Sequence, residues 1–232
     1  MAKQVKSKER VADHGEVFTN EREVNAMCDL VHQECDRIDS RFLEPACGEG
    51  NFLAEIVNRK LATVKKLHRK SPYDFERYSV LAMSSIYGVD IMQDNVTICR
   101  ERLYDIWNKE YKAVCKKECS EDTRSAVKYI LDRNILCGNA LTLMQVDENC
   151  NDIDLPIIFP EWSMIGTKFK RRDFRLDVLL KANDNPEENK QASLFEEDLS
   201  DYLTTNPVTG EYMPLPIKEY PPTLFKRLKE IE

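Results

Sequence analysis

The sequence predicts an α/β protein whose mainly parallel sheet is flanked by helices. Three observations carry this expectation. Short apolar runs alternate with long helical periods from residue 41 to residue 137, as strand–helix–strand units do. The first run, "RFLEP", ends in the turn "ACGEGN" and passes directly into a helical pattern, so a glycine turn sits between a strand and a helix N-terminus. The second, "SIYGVDI", carries Asp90 at its carboxyl end, where a carboxylate in such sheets accepts hydrogen bonds from ribose hydroxyls.

Taken in order, residues 1–14 form a flexible basic arm. A helix begins at Thr19 or Asn20, with Glu23 in capping-box position to Asn20, and Val24, Met27, Cys28, Leu30 and Val31 give its apolar stripe. Residues 52–70 form the helix after the glycine turn, with Phe52, Ile56, Leu61 and Val64 inward. Residues 71–84 are ambiguous, their second half readable as helix. A long helix then spans Met92–Lys112, another covers 123–133, and "NILCG" is a short strand. After the polar "DENCNDID", the run "LPIIF" reads as a buried strand. The character changes beyond residue 163: "FKRRDFRLDVLLK" is basic and partly amphipathic, and residues 183–232 read as an acidic linker and a tail with five prolines between 204 and 222. The core domain is therefore set at residues 15–182.

Composition narrows the function. With 42% hydrophobic and 32% charged residues and no apolar run of membrane-spanning length, the chain reads as globular, with no membrane partner. The N-terminus lacks the apolar middle of a secretion signal, which predicts a cytoplasmic protein. A net charge of −7 argues against a broad basic face for nucleic acid, although it leaves room for a local basic strip such as "KFKRRDFR". The eight cysteines are scattered; Cys115 and Cys119 are the one close pair, with no second pair or histidine to complete a zinc set. The expectation is reduced, mostly buried thiols and no metal.

The turn also selects its ligand. Its spacing is G-x-G-N, without the third glycine of a dinucleotide fingerprint, and Glu44 and Glu49 would repel a pyrophosphate. A ligand with a positive end and a ribose fits better, and S-adenosylmethionine has both.

The segments "FLEPACGEGNFL", "GEVFTN", "YGVDIMQDNVTICRERL" and "ILCGNAL" together resemble the cofactor motifs of the N6-adenine DNA methyltransferases, especially modification subunits of restriction systems. The resemblance covers residues 15 to about 143 and implies a Rossmann-like class I methyltransferase fold, abbreviated on its C-terminal side. By the same resemblance Phe18 and Thr19 would border the cofactor. Glu44, Ala46, Gly48 and Gly50 would wrap its methionine end, with Pro45, Cys47, Asn51 and Phe52 completing the cofactor-binding segment. Asp90 would hold the ribose and Ile91 would pack on the adenine, with Asn139 facing the adenine edge beside Ala140. Two positions depart from the family pattern: Asn20 replaces a proline, and Asn139 stands where Asp is usual.

That family transfers methyl groups with Asn/Asp-Pro-Pro-aromatic after the fourth strand, whose polar first residue orients a flipped base. The slot here holds Phe159-Pro160-Glu161-Trp162. Pro160 and Trp162 match, Glu161 is the available acceptor, and Phe159 cannot accept a hydrogen bond. About 70 residues follow, too few for three further strands and a target-recognition domain. Three readings follow: a DNA methyltransferase that uses Glu161 and Trp162 or borrows residues from another subunit; a methyltransferase-like binding or regulatory subunit; and a methyltransferase for another substrate. The resemblance implies DNA as a partner, directly or through a specificity or nuclease subunit.

Overall fold

The computed structural model describes residues 19–181 and 199–231; the basic arm with Phe18, and the acidic segment 182–198, lie outside the described residues. Helix α1 (Glu21–Leu30) starts where its cap predicts, with the Asn20 side chain accepting the Glu23 N–H at 3.0 Å. The short helix α2 (His32–Asp36) leads to β1 (Phe42–Glu44), the glycine turn and α3 (Asn51–His68). Helix α4 (Pro72–Ser84) runs through the whole ambiguous stretch, capped by Ser71 with Pro72 in its first turn. Its period is hard to read because polar residues face inward. Ser79 Oγ accepts the Trp107 indole N–H at 3.0 Å, and Glu76 accepts the Thr123 hydroxyl at 2.9 Å. Strand β2 (Ile86–Asp90), helices α5 (Gln93–Cys115) and α6 (Glu121–Asn134), and β3 (Ile135–Cys137) follow.

The fold is mixed α/β, built on a parallel sheet in the order β1-β2-β3, with Phe42 opposite Ile86 and Gly88 opposite Ile135. Helices α3 to α6 pack against one another and cover one face, as successive crossovers of one hand require. Tyr87 points to the other face and meets Phe159 edge-on, with ring centroids 5.3 Å apart.

That second face departs from the expected parallel continuation. The run "LPIIF" divides at Ile157. Strand β5 (Asp152–Pro156) closes a small antiparallel hairpin with β4 (Met144–Val146), and β6 (Ile158–Ile165) forms a longer one with β7 (Lys168–Arg175). A parallel strand needs a crossover of about a dozen residues or more, usually a helix. Residues 138–157 go into the β4–β5 hairpin instead, so the parallel sheet stops at three strands.

The proline-rich tail extends this second sheet. After a β8 (Leu203–Thr205)–β9 (Tyr212–Pro214) hairpin turning at Asn206–Gly210, β10 (Lys218–Glu219) and β11 (Thr223–Leu224) pair antiparallel with β7. A closing 3₁₀ helix, Phe225–Glu230, buries Phe225 and Leu228 and pairs Lys226 with Glu76 at 2.7 Å.

A buried ionic knot joins these parts. Arg171 on β7 forks onto Asp173 at 2.7 and 2.6 Å and donates to the Tyr129 hydroxyl of α6 at 2.8 Å. Tyr129 donates in turn to the Ile231 carbonyl, and the Tyr220 hydroxyl donates to Asp173 at 3.3 Å. Lys60 on α3 is a second buried ion. Its ammonium donates to the carbonyls of Arg37, Ile38 and Ser40, and burial holds its pKa down at about 8.

Alkaline pH loads these groups in opposite senses. Lys60 falls from 10.5 to about 8 on folding, so the unfolded chain binds more protons in that window and this lysine adds stability as pH rises through it. Burial raises Cys28 and Cys137 from 9.0 to about 11 and Cys115 to about 12, so each removes stability as pH climbs from 9 towards those values. Three groups oppose one, and the expected result is a lower urea midpoint at pH 10 than at pH 8, with a steeper fall in Lys60→Met. A flat wild-type profile would refute this assignment.

Candidate functional site

Strand β1 delivers the chain to a turn held by β2. Cys47 N–H donates to the Val89 carbonyl at 2.9 Å, and Gly48 N–H donates to the Asp90 carboxylate at 2.8 Å. Gly48 and Gly50 both adopt the left-handed conformation, at φ +50° and +77°. Gly50 is the N-cap of α3, and a Cβ there would lie 2.6 Å from Cys99 Sγ, so α5 packs directly behind the turn. The Cys47 thiol faces Cys99; that hydrogen bond and burial push its pKa far upward, leaving a neutral wall residue.

Asp90 ties the two strand ends together. One carboxylate oxygen takes Gly48 N–H; the other takes Met92 N–H at 2.9 Å and Asn95 Nδ2 at 3.2 Å. Asn51, first residue of α3, receives Arg102 Nη1 at 2.5 Å and donates to the Thr19 carbonyl at 3.2 Å. Thr19, two residues before α1, is thereby held beside the glycine turn. Glu44 is half-buried; desolvation raises its pKa, opposed by a bond from the Ala46 amide. Phe52 and Glu44 also line an apolar groove of about 330 Å³ with Met27, Leu30, Val31 and Leu43. Pro45 and Ala46 are exposed in the turn.

Across the carboxyl end of β3, Ile91 is half-exposed, and its carbonyl accepts from Cys137 and Cys150 at 3.5 and 3.4 Å. Asn139 and half-buried Ala140 begin the loop to β4. The Asn139 side chain is engaged at both ends: its oxygen accepts Leu141 N–H at 3.0 Å and its amide donates to Asp152 at 3.0 Å. These bonds brace the β4–β5 hairpin rather than leaving the amide presented to a ligand. Thr19 to Ala140 thus place the glycine turn, Asp90, Ile91 and Asn139 at one end of the parallel sheet.

Pro160, Glu161 and Trp162 do not join them, which corrects their expected placement in a loop following a strand. They lie inside β6, paired with β7, where Trp162 faces Arg171 in register. Glu161 pairs with Arg41 at 2.5 Å and with Arg172; Trp162 donates to Asn134 Oδ1 at 2.9 Å; the Pro160 carbonyl accepts the Tyr87 hydroxyl at 2.8 Å. Arg41 and Asn134 precede β1 and β3, so these residues sit at the amino ends of the strands. β2 is five residues long, and at about 3.3 Å per residue the sheet puts on the order of 15 Å between them and the glycine turn. Glu161 is engaged by two ion pairs at a part-buried position and Trp162 by a buried hydrogen bond.

The bracing residues Arg102 and Asn95 were missed because a single arginine or asparagine in a helix carries no local signal. Among the described residues, no three His, Cys, Asp or Glu side chains converge as metal ligands, and no helix is long and apolar enough to cross a membrane. Comparison with protein-family models, with curated proteins and with solved structures finds no match to the chain.

Proposed function

We propose that this chain is an S-adenosylmethionine-binding, methyltransferase-like subunit of a DNA-modifying system, with an abbreviated class I methyltransferase fold. Methyl transfer to adenine would then require a base-orienting residue from a partner chain. One observation supports the reading most: the left-handed glycine turn is bonded through Gly48 N–H to Asp90, the acidic end of the adjacent parallel strand. Such a turn exposes backbone beside a helix N-terminus, and the carboxylate beside it suits a ribose.

In this reading each residue has a defined task. Gly48 and Gly50 let the ligand approach the backbone, and Thr19 closes one side. Glu44, whose burial disfavours its charge, gains a partner when a cationic methionine end arrives. Protein donors fill three of the roughly four acceptor positions on Asp90. A ribose diol takes the remaining one and displaces Asn95 Nδ2, the longest of the three bonds. Ile91 packs on the adenine. The burial of Phe159 in the core and the ion pairs of Glu161 favour a chain that binds cofactor without orienting a base itself.

Calorimetry with S-adenosylmethionine tests the pocket. Asp90→Ala should weaken binding by about 10–100-fold, since a hydrogen bond to a charged group contributes about 1.5–3 kcal/mol. Unchanged affinity would remove Asp90 from the ribose. With labelled cofactor and mixed DNA, the chain alone should transfer no methyl group, and transfer should appear only with a partner that carries the missing tetrapeptide. Transfer by the chain alone would refute the division of labour.

A further inference from the structure

The eight cysteines are scattered in sequence but gathered in space. Cys35 Sγ approaches the Cys28 carbonyl at 3.7 Å; Cys47 bonds to Cys99 behind the glycine turn; Cys115 and Cys119 flank the end of α5. In these three pairs at least one thiol is buried, and in the first two both are. The fourth pair differs. Cys137 and Cys150 are both half-exposed, and both donate to one acceptor, the Ile91 carbonyl, so their sulfurs lie within two hydrogen-bond lengths of each other.

The backbone at Cys150 is unusual as well. Its φ of +62° is a left-handed conformation that residues other than glycine adopt at a cost. The turn around it is bound by Asp147, which accepts the N–H groups of Asn149 and Asn151 through its side chain and that of Cys150 through its carbonyl. This holds the Cys150 thiol inward, against Ile91 and 3.8 Å from Met92 Sδ, instead of letting it point to solvent.

We propose that Cys137 and Cys150 form a redox modification site that closes to an intrachain disulfide in the presence of a peroxide. The Cys150 thiolate attacks a peroxide oxygen, giving a sulfenic acid and releasing hydroxide, which leaves as water. The Cys137 thiolate then attacks Cys150 Sγ, and the sulfenic oxygen departs as a second water. Two thiols lose two protons and two electrons, and hydrogen peroxide is reduced to two waters. The surface turn Asp147–Asn151 supplies the small movement that brings the sulfurs to bonding distance. The site does not depend on the cofactor reading, though it abuts Ile91.

The full native chain, reduced and then treated with hydrogen peroxide, tests the proposal. Cyanogen bromide cleavage at Met144 places Cys137 and Cys150 on different fragments, which stay joined only through a disulfide. The expected result is one such linkage, reversed by dithiothreitol and absent in Cys137→Ser and in Cys150→Ser, with the other six thiols still alkylatable after unfolding. A linkage confined to another pair would overturn the proposal. So would an oxidised Cys150 beside an alkylatable Cys137 in the wild-type chain.

Discussion

Arg171→Leu is expected to destabilise the protein by about 3–5 kcal/mol, the cost of leaving one partner of a buried ion pair uncompensated. Asp173 is only 5% exposed, and its other donor is the Tyr220 hydroxyl at 3.3 Å, which cannot balance a full charge. The loss also leaves the Tyr129 hydroxyl without its cationic donor, weakening the α6 contact to Ile231. The double variant Arg171→Leu/Asp173→Leu should recover much of the loss, because the isolated charge disappears. Urea denaturation of the two single variants and the double variant gives the coupling energy directly. Strict additivity of the single effects would show that the pair does not act as a unit.

Gly50→Ala should be the most damaging single-carbon addition. The left-handed backbone costs a residue with Cβ about 1–2 kcal/mol, and overpacking against Cys99 adds about 1–3 kcal/mol. Removing the Cys99 sulfur with Cys99→Ala in the same chain should relieve the overpacking part and leave the torsional part. Thermal melts of the single and double variants separate the two, and no rescue by Cys99→Ala would mean that the turn yields elsewhere. Under the proposed function the same substitution also weakens S-adenosylmethionine binding, because the turn is the ligand's floor.

The features legible in the sequence were those set by neighbours in the chain. Asn20 caps α1 because its side chain reaches an N–H three residues on, and the turn "ACGEGN" signals its torsions through its glycines. Asp90 follows from the same locality, since it ends an apolar strand. The direction of "IIFPEW" was not legible, because a strand's sense depends on which strand pairs with it, and β7 lies beyond a turn. Trp162 and Glu161 therefore looked like parts of a catalytic loop, while their partners Asn134 and Arg41 lie 28 and 120 residues away. The pairing of the thiols was hidden for the same reason: Cys47 and Cys99 come from different helix–strand units.

The docking of the tail on β7 has a kinetic consequence. The parallel sheet pairs residues 44 and 47 positions apart (Phe42 with Ile86, Gly88 with Ile135), whereas the hydroxyl of Tyr129 finds Ile231 across 102 residues. Closures of that span come late in folding, since their entropy is lost before their contacts form. The segment from β10 to Ile231 is then the last part to settle and the first to open. Native-state hydrogen exchange should find its amides the least protected of the regular elements, and the lifetime of the protein against proteases should follow the opening of that segment rather than global unfolding.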